Sequence, residues 1–174
     1  MEGLRIETER LVITTFDKSM AEIVHMNSLD EDNRNFVPDE VFETVDIAME
    51  TILYLMSCYG KKDSPLVYPV LLKSGDNIGY VQVVPYKKGW EVGYHVAKKY
   101  TGKGYVAEAL QAFLPVLMDY LAIKEILGIC LKENIASQRV LEKSGFILIF
   151  SGLDSYQGED RELHKYLYSK EGIE

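Results

Sequence analysis

An alternating apolar segment that enters a Gly-x-Gly turn and passes straight into a helix limits this chain more than any other feature. Residues 90–110 read WEVGYHVAKKYTGKGYVAEAL. Their first half alternates as a strand does. Val106, Leu110, Phe113, Leu114 and Leu117 then recur at helical spacing. The turn residues Thr101, Gly102, Lys103, Gly104 and Tyr105 can present several backbone N–H groups to one point. The new helix adds its unpaired first-turn amides and the positive end of its dipole, the usual seat of a phosphate or another anion. The chain is therefore expected to bind a phosphorylated small molecule.

The common nucleotide loops do not fit. A dinucleotide fingerprint needs G-x-G-x-x-G opening a parallel βαβ unit, and the third glycine is missing here. A Walker loop needs Gly-Lys-Ser/Thr, whereas Lys103 lies between the glycines and Tyr105 follows them. A nucleotide binder that uses the same turn in another way stays open as one reading. It predicts that ATP or NAD raises the melting temperature.

The surrounding elements read as a single mixed α/β domain over residues 1–174. A strand over 10–16 leads to a helix capped by Asp17 and running to Ser28. The acidic, proline-containing segment 30–39 reads as a loop. Thr44 opens a second helix that Gly60 closes. Three strands follow as an antiparallel meander, over 66–72, 78–84 and 90–96, with Pro69 marking an edge or a bulge in the first. After the Gly turn come a helix over 105–121 containing Pro115, a strand over 125–131 and a helix capped by Asn134. Two closing strands, 146–150 and 163–168, flank a Gly- and Asp-rich loop at 152–160.

Charge and cysteine usage narrow the partners. The net charge is −8, which disfavours nonspecific binding to nucleic acid or anionic membrane and mildly favours an amine-bearing partner. Cys58 and Cys130 have no metal or redox spacing and read as packed apolar residues. His95 has no second ligand at a useful spacing, so no metal is expected. With no secretory signal or membrane-length apolar run, the expected location is the cytoplasm. The chain is expected to be a monomer or a homodimer.

The order of these elements resembles the GNAT superfamily of acyl-CoA-dependent N-acetyltransferases. The family turn, Q/R-x-x-G-x-G/A, falls on residues 101–106, with Thr101 in place of Gln/Arg and Val106 in place of the last small residue. A second block, residues 134–137 followed by RVLEKSGF at 139–146, resembles the Rim-type branch, which includes ribosomal-protein N-terminal acetyltransferases. The TERL start at residues 8–11, the E-x-G-Y strand at 91–94 and the G-K-G-Y turn at 102–105 belong to the same likeness.

The resemblance implies a mostly antiparallel sheet, splayed at a cleft that takes acetyl-CoA. It implies that Val96, Ala97 and Lys98 pair with the pantetheine arm like an added strand. Thr101, Gly102, Lys103, Gly104, Tyr105 and Val106 would then hold the pyrophosphate, and Asn134 would contact the pantetheine.

Acetyl transfer to an amine needs a neutral amine, a polarised carbonyl and a proton for the leaving thiolate. A free α-amine, with a pKa of about 7.7–8.0, is partly neutral already, so a weak base suffices. Glu91, on the strand lining the acceptor side, is the base candidate; an exposed or structural carboxylate is the competing reading. Ser137 is the candidate for a hydrogen bond to the departing sulfur, against a first-turn serine bonded to its own helix. Tyr94, Tyr156, Tyr166 and Tyr168 are candidate proton donors to the thiolate.

Asp30, Glu31, Asp32, Asp39 and Glu40 are candidates for an acidic acceptor rim, with Trp90 and Phe36 as possible walls. The expected activity is acetyl transfer to a primary amine of a peptide N-terminus, a polyamine or another small amine by direct attack. The alternative is a catalytically silent acyl-CoA-binding module.

Overall fold

Alternating apolar residues build the centre of one sheet. In the computed structural model, which describes residues 1–170, these residues form eight strands and five α-helices. The strands are β1 (Arg5–Glu7), β2 (Leu11–Thr14), β3 (Leu66–Leu72), β4 (Asn77–Tyr86), β5 (Gly89–Val96), β6 (Glu125–Leu131), β7 (Ile147–Tyr156) and β8 (Glu159–Ser169). Their order across the sheet is β1-β2-β3-β4-β5-β6-β8-β7. Every described strand pair is antiparallel except β5 with β6.

Helices cover both faces. The longest, α4 (Tyr105–Leu121), buries Ala109, Leu110, Phe113, Leu114, Leu117 and Met118 against the sheet. Next to it lies α5 (Ile135–Lys143). The opposite side carries α1 (Ala21–Ser28), α2 (Glu31–Phe36) and α3 (Val45–Cys58), with Ala21 and Ile52 packed on Phe16 and Val67. Truncating a fully buried ring such as Phe113 to alanine removes about 3–5 kcal/mol of stability. No helix among the described residues is long and apolar enough to cross a membrane.

The meander, the Gly turn, α4, β6 and the capped α5 lie where the sequence puts them, but four readings change. The segment read as a loop at 30–39 contains α2 and a 3-10 turn at Pro38–Glu40. Local and long-range bonds hold it: Asn33 Nδ2 donates to the Ser28 carbonyl at 3.2 Å, Arg34 pairs with Glu43, and Asp30 Oδ2 accepts from the Lys98 N–H. Residues 152–160 are not a loop, because β7 and β8 continue through them as a hairpin turning at Gln157–Gly158. The continuous register from Gly152↔Leu163 to Tyr156↔Glu159, with an ion pair from Lys165 on β8 to Asp154 on β7, supplies what the polar composition does not advertise. Pro69 lies in an interior strand rather than at an edge, and the irregularity it marks follows between Val70 and Leu71. Finally, β1 extends the sheet before the first expected strand, which itself is shorter than residues 10–16.

Candidate active site

The one parallel pairing is brief, and its brevity makes the site. β5 and β6 register only at Glu91↔Leu127 and Val92↔Gly128. Beyond Val92 they separate, so residues 93–96 have β4 on one side and no strand on the other. Alternation directs successive β5 side chains to opposite faces. Glu91, Gly93 and His95 face the α1–α2 side, whereas Val92, Tyr94 and Val96 face α4 and α5.

On the first face Glu91 is 8% exposed, and its Oε1 accepts a 2.7 Å hydrogen bond from the Tyr156 hydroxyl. Burial pushes its carboxyl up to about 7; the Tyr156 bond opposes this and the nearby Glu40 charge adds to it. Burial also pushes Glu40 up to about 7, against a 3.0 Å hydrogen bond donated by Gln82 Nε2. Gly93 makes that bond possible, because a Cβ there would lie 2.5 Å from Gln82 Nε2. The E-x-G-Y strand thus needs its glycine so that Gln82, its partner on β4, can cross to Glu40. Glu40, half-buried, belongs to this hydrogen-bonded pair rather than to a solvated acidic rim, while Glu31, Asp32 and Asp39 are exposed.

His95 is neutral at pH 7: burial pushes it down to about 4, against the pull of Asp30, whose Oδ2 lies 3.9 Å from Nε2. Trp90 packs on the core, and Phe36 is half-buried in α2.

On the second face the Tyr94 hydroxyl lies 2.8 Å from Ser137 Oγ and donates to the Ser137 carbonyl at 3.1 Å. Burial raises the Tyr94 hydroxyl and keeps it protonated. Asn134 caps α5, its Oδ1 accepting from Ser137 N–H at 3.0 Å, which points the first turn of α5 toward Tyr94. Burial pushes the adjacent Cys130 thiol up to about 11, in keeping with a packed cysteine. The other tyrosines are occupied elsewhere. Tyr166 donates to Glu142 at 3.3 Å, Tyr168 packs on Phe146, and Tyr156 serves Glu91.

The turn supplies the third part. Gly102 and Gly104 have φ of 74° and 79°, left-handed angles that favour glycine. Among the described residues, the amides of Gly102, Lys103, Gly104, Tyr105 and Val106 have no protein acceptor. The Val106 side chain packs on the core beside Ala109 and Val96, which keeps its bulk below the turn. Thr101 Oγ1 donates to the Lys98 carbonyl at 2.8 Å.

Two of the three amides expected to face an arm are engaged: Ala97 N–H with the Ile78 carbonyl, and Lys98 N–H with Asp30 Oδ2 at 2.8 Å. Antiparallel pairing alternates, so Val96 turns its N–H and carbonyl away from β4, toward the side β6 has left.

Sequence reasoning missed Gln82 as a link, the pairing of Tyr156 with Glu91, and Arg10 with Glu108. Arg10 forms an ion pair with Glu108 at 2.6 Å in the first turn of α4. Burial raises the Glu108 carboxyl, but its bonds to Thr8 and Arg10 outweigh this and hold it below the ordinary value. The TERL likeness was the one available signal for this contact.

Known proteins carry the same fold. Residues 10–147 match the family described as "Acetyltransferase (GNAT) domain". The uncharacterized N-acetyltransferase YnaD of Bacillus subtilis is 29% identical over 145 residues, 82% of this chain and 82% of YnaD. A GNAT-family acetyltransferase from Bacillus anthracis superposes with a TM-score of 0.82 at 28% identity, covering 97% of this chain and 100% of that one. RimL, a ribosomal L7/L12 α-N-protein acetyltransferase solved with coenzyme A, superposes at 0.79 with 17% identity, covering 95% and 98%; it shares the fold. The chain belongs to the GNAT acetyltransferase family and is an acetyl-CoA-dependent N-acetyltransferase.

Proposed function

We propose that the chain transfers acetyl from acetyl-CoA to a primary amine by direct attack, with Glu91 as base and Ser137 beside the departing sulfur. The observation that carries this is the opening between β5 and β6, with Glu91 and Tyr156 on one face and Tyr94 and Ser137 on the other. A thioester lying in that opening meets an acid–base group on each side.

In this reading Val96 pairs with the pantetheine arm through the N–H and carbonyl it turns outward. Asn134, whose Oδ1 holds the helix, offers its amide hydrogens to the same arm. The free amides of residues 102–106 hold the pyrophosphate, each charge-assisted bond contributing about 1.5–3 kcal/mol. Lys103 and Tyr105 flank that seat. Ala97, Lys98 and Thr101 shape the bend before it through bonds to Ile78, Asp30 and Lys98.

The acceptor enters over the Glu91 face. A carboxylate near 7 suits an α-amine at about 7.7–8.0, because the two differ by about one unit. Glu91 takes the amine proton as nitrogen attacks the carbonyl carbon and the C–N bond forms. The C–S bond then breaks and the thiolate takes a proton from Ser137 Oγ, to which Tyr94 passes its own; water returns a proton to Tyr94 as Glu91 releases the one it took from the amine.

The protein N-termini acetylated by RimL fit this pairing, as do small amines, and a cytoplasmic location accompanies the proposal. A panel of peptides, polyamines and other small amines, read by release of free thiol from acetyl-CoA, tests it. Turnover with at least one primary amine is expected. Tight CoA binding without turnover on any acceptor would overturn it in favour of the silent module.

A further inference from the structure

Arg10, immediately before β2, ties the first strand to the Gly turn. Its Nε donates to Glu108 Oε2 at 2.6 Å, and its backbone N–H donates to Glu108 Oε1 at 3.1 Å. Its Nη1 donates to the Lys103 carbonyl at 3.0 Å, and its guanidinium lies 4.6 Å from the Tyr105 ring centre. The Thr8 hydroxyl completes the set by donating to Glu108 Oε1 at 2.5 Å.

Two consequences follow from elementary geometry and charge. A trans peptide is planar, with its carbonyl and N–H pointing in opposite directions. Fixing the Lys103 carbonyl toward Arg10 therefore fixes the Gly104 N–H in the opposite direction, away from the clamp. Glu108, meanwhile, is a carboxylate in the first turn of α4. It complements the helix dipole but opposes any second anion seated on the same turn. The Arg10 fork cancels that charge and leaves the turn's dipole available.

We infer that Arg10 is a positioning residue for the acetyl donor: it orients the Gly104 amide and screens Glu108, so that the turn accepts a pyrophosphate. This rests on the reading that residues 102–106 hold the donor's pyrophosphate. Thr8 acts with Arg10 by holding the Glu108 carboxylate in register.

The test compares two donors with one saturating amine acceptor. Acetyl-CoA carries the pyrophosphate; S-acetyl-pantetheine carries the same thioester and arm without it. R10Q should raise the KM for acetyl-CoA about tenfold, with kcat within about twofold and kcat/KM for S-acetyl-pantetheine within about twofold. The double variant R10Q/E108Q should recover a large part of the lost affinity, because the unscreened carboxylate is gone. CoA affinity by calorimetry should follow the same order.

If R10Q fails to fold, R10K carries the same comparison, since its ammonium keeps Glu108 paired while losing the second arm to Lys103. An R10K enzyme should lose about threefold with acetyl-CoA and nothing with the truncated donor. Equal losses with both donors would make Arg10 merely structural and overturn the inference. G104V separates the two levels: if it discriminates the donors and the Arg10 variants do not, the Arg10 inference falls alone. If neither discriminates, the pyrophosphate reading falls with it.

Discussion

Tyr156 donates a 2.7 Å hydrogen bond to Glu91 from the far end of a hairpin, neither strand of which pairs with the strand that carries Glu91. The bond gives a buried carboxylate one fixed partner, while burial and Glu40 hold its proton affinity high. A group so placed is suited to take a proton near neutral pH.

Glu91→Gln keeps the shape and removes the basicity. Turnover should fall by about 10²–10⁴, the usual contribution of a positioned base, with CoA affinity little changed. Stopped-time assays over a range of pH, beside calorimetry, check it. An unchanged rate at every pH would rule Glu91 out as the base.

The pH profile should show a base limb. Glu91 must be ionised to accept a proton and the amine must be neutral, so kcat/KM should rise with pH through about 7 and level only above the amine's own pKa, about 7.7–8.0 for an α-amine. The Glu40 charge raises Glu91, so Glu40→Gln should move that limb to lower pH. A limb that stays in place, or moves upward, would contradict the coupling.

Stability should move the other way. Folding raises the Glu91 carboxyl from 4.5 to about 7, so the native state holds a proton that the unfolded chain releases. Stability therefore declines as pH rises across that window, by up to about 3 kcal/mol from this group. Glu91→Gln should melt several degrees higher than the parent at pH 8 and about the same at pH 5. Thermal denaturation at the two pH values decides this.

Ser137→Ala and Tyr94→Phe should each slow turnover by about tenfold or more, with donor KM little changed. A thioester whose thiol is more acidic needs less help to leave, so the defect should shrink with such a donor. A loss of equal size with both donors would mean that the pair does not serve the leaving group.

Gly104→Val places a branched side chain at a φ of 79°. The KM for acetyl-CoA should rise about tenfold or more, with a smaller effect on kcat. Steady-state kinetics at varied donor concentration, with circular dichroism to confirm folding, measures it.

The sequence by itself determined the meander, the Gly turn, the long helix and the Asn134 cap, because each rests on local chemistry. Alternation, turn residues and capping act over a few positions, and the turn's amides stay free because nothing in the first helical turn can pair them. Glu91 was legible as a candidate for the same reason, standing in an alternating strand beside that turn.

Tertiary structure decided what those residues touch. Glu40 looked like one acid of an acceptor rim, yet Gln82 draws it to the Glu91 face over a glycine. Tyr156 looked like one of four tyrosines near a thiol, yet a hairpin hidden in a polar stretch carries it to Glu91. The opening itself depends on β5 and β6 pairing at two positions and then parting. No local pattern encodes that separation, because it arises from how the whole sheet packs between its helices.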